Sequence, residues 1–245
     1  MSAVDTYFNI LEAMNAKIRK TQTENMEKAA RRIAECLKEG GTVYSFGTGH
    51  GHLLALEIFY RAGGMARVCP ILDDKLMLHK SAAGSTLEER KEEWADTLLE
   101  KYPVSAGDVL IAVSNSGRNA VPVLLAMKAR RRGAYVIALT SMNHSSAVTP
   151  RNSANLKLYE TADLVLDNCG VLGDAAVPFQ DGSMVGPTST ALGAAMLQAV
   201  VCRVKEISLE EGFEADFFRS SNVDGGDEWN EKLIARFGDR IPGLK

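Results

Sequence analysis

Val4, Tyr7, Phe8, Leu11, Met14 and Ile18 recur at helical spacing and lay an apolar stripe along one face of the opening segment. Thr21 followed by Glu24 has the form of a capping box. It predicts a second helical stretch carrying Met26, Ala30, Ile33 and Leu37 on one side, closed by Gly40-Gly41. From Thr42 the pattern changes. Thr42–Phe46, Val68–Leu72, Asp108–Ser114, Tyr135–Thr140 and Leu164–Leu166 read as short strands, with helical stretches between them. The run Val109-Leu110-Ile111-Ala112-Val113 is unbroken, as in a strand covered on both faces. A charged helix is expected from Leu87 to about Tyr102, with Glu88–Glu93 as a solvated face, and another from Ala120 to Arg132. Strands alternating with crossover helices predict an α/β protein, a three-layer α/β/α sandwich around a five-stranded parallel sheet. Residues 1–41 are expected to form a helical arm of the same domain, contributing to a homodimer or homotetramer, and 42–245 the ligand-binding part.

Composition narrows the setting. The chain has 245 residues, 46% hydrophobic and 24% charged, enough for a core without a disulfide or structural metal. A net charge of −3 gives no electrostatic case for nucleic acid or an anionic membrane. No long apolar run and no signal-peptide pattern is visible, so a cytoplasmic protein is expected. Cys36, Cys69, Cys169 and Cys202 are scattered without a CxxC and read as buried free thiols.

The candidate chemistry lies at two strand ends, where open parallel sheets bind ligands. After the first strand comes Gly47-Thr48-Gly49-His50-Gly51-His52, and after the third Ser114-Asn115-Ser116-Gly117-Arg118-Asn119, leading into a helix. Glycines let backbone approach an anion, and hydroxyls with N–H groups at a helix start supply donors. Thr48, His50, Ser114, Ser116 and Asn119 are the candidates to hold a phosphate; the alternative is that Asn119 merely caps the helix and the serines close a turn. The first turn is not a dinucleotide fingerprint, because His52 stands at its third glycine position, and no GxxxxGK[ST] loop is present. No cofactor is expected.

The two turns, Ser45–Gly51 and Val113–Asn119, resemble the phosphate-side motifs of the sugar isomerase (SIS) domain family, a flavodoxin-like fold. Ala162–Asp167 fits the family's layout, and Gly186-Pro187-Thr188-Ser189-Thr190-Ala191 resembles its last ligand-side turn. The resemblance spans roughly Thr42 to Glu206. It is nearest to the single-domain group that includes phosphoheptose isomerase, and nearer still to sugar isomerase domain proteins of similar length without an assigned activity. These also end in a segment like Ser221–Glu228. It implies a phosphorylated sugar as ligand, with Gly47, Gly49, Asn115, Gly117, Thr188, Ser189 and Thr190 completing the site. Phosphoheptose isomerase carries a histidine on its last long helix that serves as base and zinc ligand. Ala194-Ala195-Met196-Leu197-Gln198 has none, so neither that chemistry nor the zinc transfers.

Isomerising an aldose to a ketose needs a base within hydrogen-bond reach of the migrating proton. Glu57, in an apolar helical stretch, is the first candidate; its alternative is an i,i+4 pair with Arg61. The family's isomerases and etherases carry an acidic residue on the corresponding helix. His52 and His50 face the ligand or bond within their turn. His79 lies in Asp73–Thr86, long enough to cover a ligand and, as in SIS dimers, to act on a neighbour's site. His144 reads as exposed. His50, His52 and Glu57 match no recurring zinc spacing, and no metal is expected. Asp224–Glu228 reads as a turn and cap for a docking helix carrying Trp229, Leu233, Ile234 and Phe237. The sequence reading is a sugar-phosphate isomerase; a lactyl-ether lyase acting on an amino-sugar phosphate and a non-catalytic sugar-phosphate-binding regulator are the alternatives.

Overall fold

The computed structural model describes residues 2–245. Five parallel strands form the central sheet: β1 (Val43–Gly47), β2 (Val68–Pro70), β3 (Val109–Val113), β4 (Tyr135–Thr140) and β5 (Leu164–Asp167), in the order β2-β1-β3-β4-β5. Their side chains alternate between two cores, as period-2 geometry requires. Val109, Ile111 and Val113 join Ile137, Leu139, Leu164 and Leu166 on one face; Leu110 and Ala112 join Val136 and Ala138 on the other. The first face is covered by α1 (Ala3–Lys38), α2 (Gly51–Glu57) and α8 (Ser189–Glu210). The second is covered by α4 (Trp94–Lys101), α5 (Ala120–Arg131) and α9 (Gly226–Phe237). This is the three-layer sandwich that the strand and helix pattern predicts. Among the described residues no helix is long and apolar enough to cross a membrane.

Three local expectations need correcting. Thr21 opens no second helix: α1 is continuous, the Thr21 hydroxyl donates to Lys17 O one turn back, and Glu24 pairs with Lys28 at 2.6 Å. No glycine or proline interrupts the segment, so nothing stops propagation. The second half of α1 is a core helix, burying Ala29, Ala30, Ile33, Ala34 and Leu37, while Val4 and Phe8 near its start are 66% and 59% exposed. The charged helix expected from Leu87 is in fact α3 (Ala82–Glu88), capped by Ser81, followed by a break before α4. Finally, Cys202 is exposed while the other three thiols are buried.

Between β5 and α8 lies an antiparallel hairpin that alternation does not announce, β6 (Ala175–Pro178) and β7 (Met184–Pro187). Short helices α6 (Met142–Ala147) and α7 (Leu158–Thr161) fill the β4–β5 connection. The C-terminal helix docks as expected: Leu233 and Phe237 enter the core, and Trp229 Nε1 donates to Phe217 O at 2.8 Å.

Candidate functional site

Register places the two turns side by side. Gly47 pairs with Val113, and Val113 with Leu139, so the chains leaving β1, β3 and β4 emerge along one rim of the sheet. From β1 the chain runs to β2 on one side while β3 lies on the other, the switch point where such sheets open a crevice. A cleft of about 320 Å³ opens at that rim, a size suited to a small molecule.

Thr48, Gly49, His50, Ser114, Asn115, Ser116, Asn119, Ser189 and Thr190 all line it. The backbone explains the turns. A Cβ on Gly47 would sit 2.3 Å from the Gly51 backbone, so only glycine lets the chain fold back into α2. Gly117 adopts φ +55, where a side chain would be strained and would press on Ser145 Oγ. Its N–H is held by Ser114 Oγ at 3.2 Å, and Asn115 O accepts from Ser141 N and Thr140 Oγ1, fixing the turn to the neighbouring strand. Asn119 is the N-cap residue of α5, yet its side chain makes no capping bond.

What Asn119 does instead defines the site. Its Nδ2 donates to Glu89 Oε1 at 2.6 Å, and Thr48 Oγ1 donates to Glu89 Oε2 at 2.6 Å. Glu89 thus leaves the break between α3 and α4 and reaches into the cleft between the two turns, where burial pushes its carboxyl above the ordinary range and the bonds from Thr48 and Asn119 oppose the shift only in part. The solvated face expected for Glu88–Glu93 holds for Arg90, Lys91 and Glu93, which are exposed, and fails at Glu89. At the surface beside it Glu88 holds Trp94 Nε1 at 2.8 Å, and Glu92 takes Ser153 N and Oγ at 2.6 Å each. Leu78 and Thr86 enter the cleft from the same region, so Asp73–Thr86 does cover it.

The far wall carries two more residues that the sequence reading passed over, Asn168 and Asp174. Asn168 follows β5 and donates to Asn115 Oδ1 at 3.0 Å. Asp174 receives Thr188 N at 3.1 Å, Ser189 N at 2.9 Å and Ser189 Oγ at 2.6 Å, so α8 is capped from a distance. The hydroxyls of Thr188-Ser189-Thr190 do not cap their own helix; Thr188 is fully buried with Oγ1 unpartnered. His144, expected to be exposed, lines the cleft. Burial holds its imidazole below the ordinary histidine range; nearby Lys157 and Arg118 push the same way and Asp174 pulls back. The rule that ligands gather beyond strand ends would have found His144 and Asn168; nothing in the Glu-Arg-Lys-Glu-Glu run singles out Glu89.

The three proposed acid–base residues lie elsewhere in this chain. Glu57, at the end of α2, is held by Arg61 and by Gln198 Nε2 at 3.0 Å. His52 is buried in its own turn, its Nδ1–H donating to Gly49 O. His79 is exposed beside Asp74 at 3.5 Å and stands edge-on to His52 at 6.4 Å. Among the described residues, no group of three His, Cys, Asp or Glu side chains converges to hold a metal ion.

Residues 6–141 match the SIS domain. The chain is 38% identical over 242 residues to a UPF0309 protein of Geobacillus thermodenitrificans, covering 98% of this chain and 97% of that one. To a UPF0309 protein of Halalkalibacterium halodurans it is 40% identical over 237 residues, covering 96% and 98%. The chain belongs to the SIS domain family. In fold it is similar to the phosphoheptose isomerase of Neisseria gonorrhoeae, with TM-score 0.55 and 19% identity over 83% of this chain and 97% of that one. It is also similar to the NanR protein of Vibrio vulnificus complexed with ManNAc-6P, with TM-score 0.54 and 18% identity over 96% and 70%.

Proposed function

We propose that the protein is a cytoplasmic aldose–ketose isomerase acting on a phosphorylated sugar or amino sugar. The observation that carries this reading is the half-buried Glu89 carboxylate between Thr48 and Asn119, within the rim of hydroxyls and glycines. Ser116 Oγ and the Ser114 hydroxyl proton meet no protein acceptor among the described residues and are available to a phosphate. Thr48, His50 and Asn119 line the same pocket. With the phosphate at the β3 turn, the sugar carbons extend toward Glu89. A half-buried carboxylate whose pKa is raised above the ordinary value is suited to taking a proton from the carbon beside a carbonyl. In this reading Glu89 takes the part first sought in Glu57, and His79 remains the candidate for a partner subunit's site. The bound sugar phosphate of the NanR structure and the phosphoheptose isomerase fold agree with the ligand class.

One observation favours the non-catalytic alternative. The α8 stretch Ala194–Gln198 carries no histidine, and the Gln198 amide is committed to Glu57. A time course in deuterated water with hexose, heptose and aminohexose phosphates separates the readings. Deuterium entering C1 or C2 supports isomerisation, loss of an ether substituent supports the lyase, and tight binding without exchange supports the regulator.

A further inference from the structure

Isomerisation requires two proton movements: one between carbons, one between the oxygens of C1 and C2. Glu89 suits the first. Two imidazoles line the cleft besides Glu89; His50 is exposed, and His144, half-buried, is the one placed to perform the second. His144 follows β4, so it stands on the other side of the β3 turn from Thr48 and Glu89. Its backbone is fixed, with Ser141 Oγ accepting from His144 N at 3.1 Å in the first turn of α6. Its ring is not. Neither ring nitrogen bonds to a protein group among the described residues, and Nδ1 is buried with no partner at all. A buried polar nitrogen left unpaired is costly, and with Nδ1 closed off the other ring nitrogen, Nε2, is the one free to meet a ligand in the cleft. The charged groups around it are Arg118, Lys157 and Asp174. Burial first, and then the two cations, disfavour imidazolium against the pull of Asp174, so the group works as a neutral donor rather than as a cation.

We propose that His144 is the catalytic residue that shuttles the oxygen-bound proton in the isomerase reaction, a proposal that rests on the isomerase reading above. In the aldose-to-ketose direction Glu89 takes the C2 proton. The C2–H pair forms the C1=C2 bond, and the carbonyl π pair moves to O1, which takes the imidazole N–H proton. The resulting imidazolate removes the O2 proton, the C2=O2 carbonyl forms, and C1 receives the proton held by Glu89. No atom or electron enters from outside, and a neutral histidine electrophile paired with a carboxylate base is a known solution to this chemistry. Imidazole thus reaches the site from the first turn of α6, while the α8 stretch Ala194–Gln198 carries no histidine.

The test compares wild type, His144→Gln and Glu89→Gln in deuterated water, using glucose 6-phosphate, glucosamine 6-phosphate and ribose 5-phosphate, with calorimetric affinities for the same sugars. For His144→Gln we expect product formation to slow by about 10²-fold or more while affinity stays within about threefold. We also expect deuterium to enter the starting sugar faster, relative to product formation, than in wild type, because the enediolate returns when the oxygen proton cannot move. Added imidazole should restore part of the rate to His144→Gly. An undiminished rate in His144→Gln, or an affinity loss that accounts for the whole rate loss at an unchanged exchange-to-product ratio, overturns the role of His144 alone. A wild-type protein that binds these sugars and exchanges no carbon-bound proton overturns the isomerase reading, and this proposal with it.

Discussion

Asn119 Nδ2 and Glu89 Oε1 meet at 2.6 Å across 30 positions of sequence, joining the helix start after β3 to the break between α3 and α4. With Thr48 on the other oxygen, a single carboxylate links both ligand-side turns. It also stands where a phosphate dianion would approach. Two like charges about 4 Å apart at a partly screened site repel by a few kcal/mol. Ligand binding and the protonation of Glu89 are therefore coupled.

Replacing Glu89 tests that coupling. Glu89→Gln should lower turnover by about 10²–10⁴-fold, the usual worth of a general base. Its affinity for inorganic phosphate should equal or exceed that of wild type, because the repulsion is gone. The sign for stability also follows. The folded-state value is raised, so Glu89's contribution is full below the ordinary carboxylate value and is lost as pH rises through the raised one. Urea midpoints at about pH 4 and about pH 7 should therefore fall more in wild type than in Glu89→Gln. An equal fall would place the carboxylate in water.

Ser116 tests the phosphate grip without disturbing Glu89. Ser116→Ala should weaken a phosphorylated sugar by roughly 1–3 kcal/mol, the cost of one hydrogen bond to a charged group. The unphosphorylated sugar should bind both proteins alike. Equal calorimetric affinity of the two proteins for the phosphorylated sugar would remove Ser116 from the site.

Asp174 is a cap as well as a wall. Asp174→Ala leaves Thr188 N, Ser189 N and Ser189 Oγ without their acceptor. A loss of about 1–2 kcal/mol in urea unfolding is expected, as for other helix N-caps. Asp174→Asn, which keeps an acceptor, should recover most of it. If both variants unfold alike, the carboxylate contributes charge rather than capping.

The parts legible in the sequence were those governed by local period and turn chemistry. Val109–Val113 reads as a doubly covered strand because every position is apolar, and Gly47 and Gly117 stand where the backbone folds tightly or needs positive φ. Thr48, Ser114, Ser116 and Asn119 follow from the rule for strand ends. Glu89 was illegible because its neighbours Arg90, Lys91, Glu92 and Glu93 make it look like one of a solvated row. Only tertiary contact with Thr48 and Asn119 distinguishes it. Asp174 likewise caps a helix that begins fifteen residues later, beyond the reach of any local capping pattern.

The opening of α1 offers a surface for a second copy. Tyr7 Oη donates to Pro187 O at 2.8 Å, tying the exposed Val4 and Phe8 to the hairpin that exposes Phe179, Met184 and Val185. Several large apolar side chains exposed on neighbouring elements are what an interface would cover. Phe8→Lys combined with Val185→Lys should lower the mass seen in light scattering while leaving the melting temperature of the subunit fold nearly unchanged. Deleting all of residues 1–41 would be a poor test, because it would strip Ile33 and Leu37 from the core. An unaltered mass in the double variant would remove this face from any assembly.

The thiols give a check on the core that needs no ligand. Burial pushes Cys36 up to about 11 and Cys69 up to about 12, and it raises Cys169 in the same direction. Asp108 adds to the first two and Asp167 to the third. The thiolate is the nucleophile, so at neutral pH these three sulfurs are both inaccessible and protonated. Cys202 is the one exposed thiol among the four. A disulfide reagent at about pH 8 should therefore titrate one fast equivalent in the native protein and four in urea. The fast equivalent should vanish in Cys202→Ser. A second fast equivalent would mean that the packing around Cys36 on α1, Cys69 on β2 or Cys169 just after β5 opens readily.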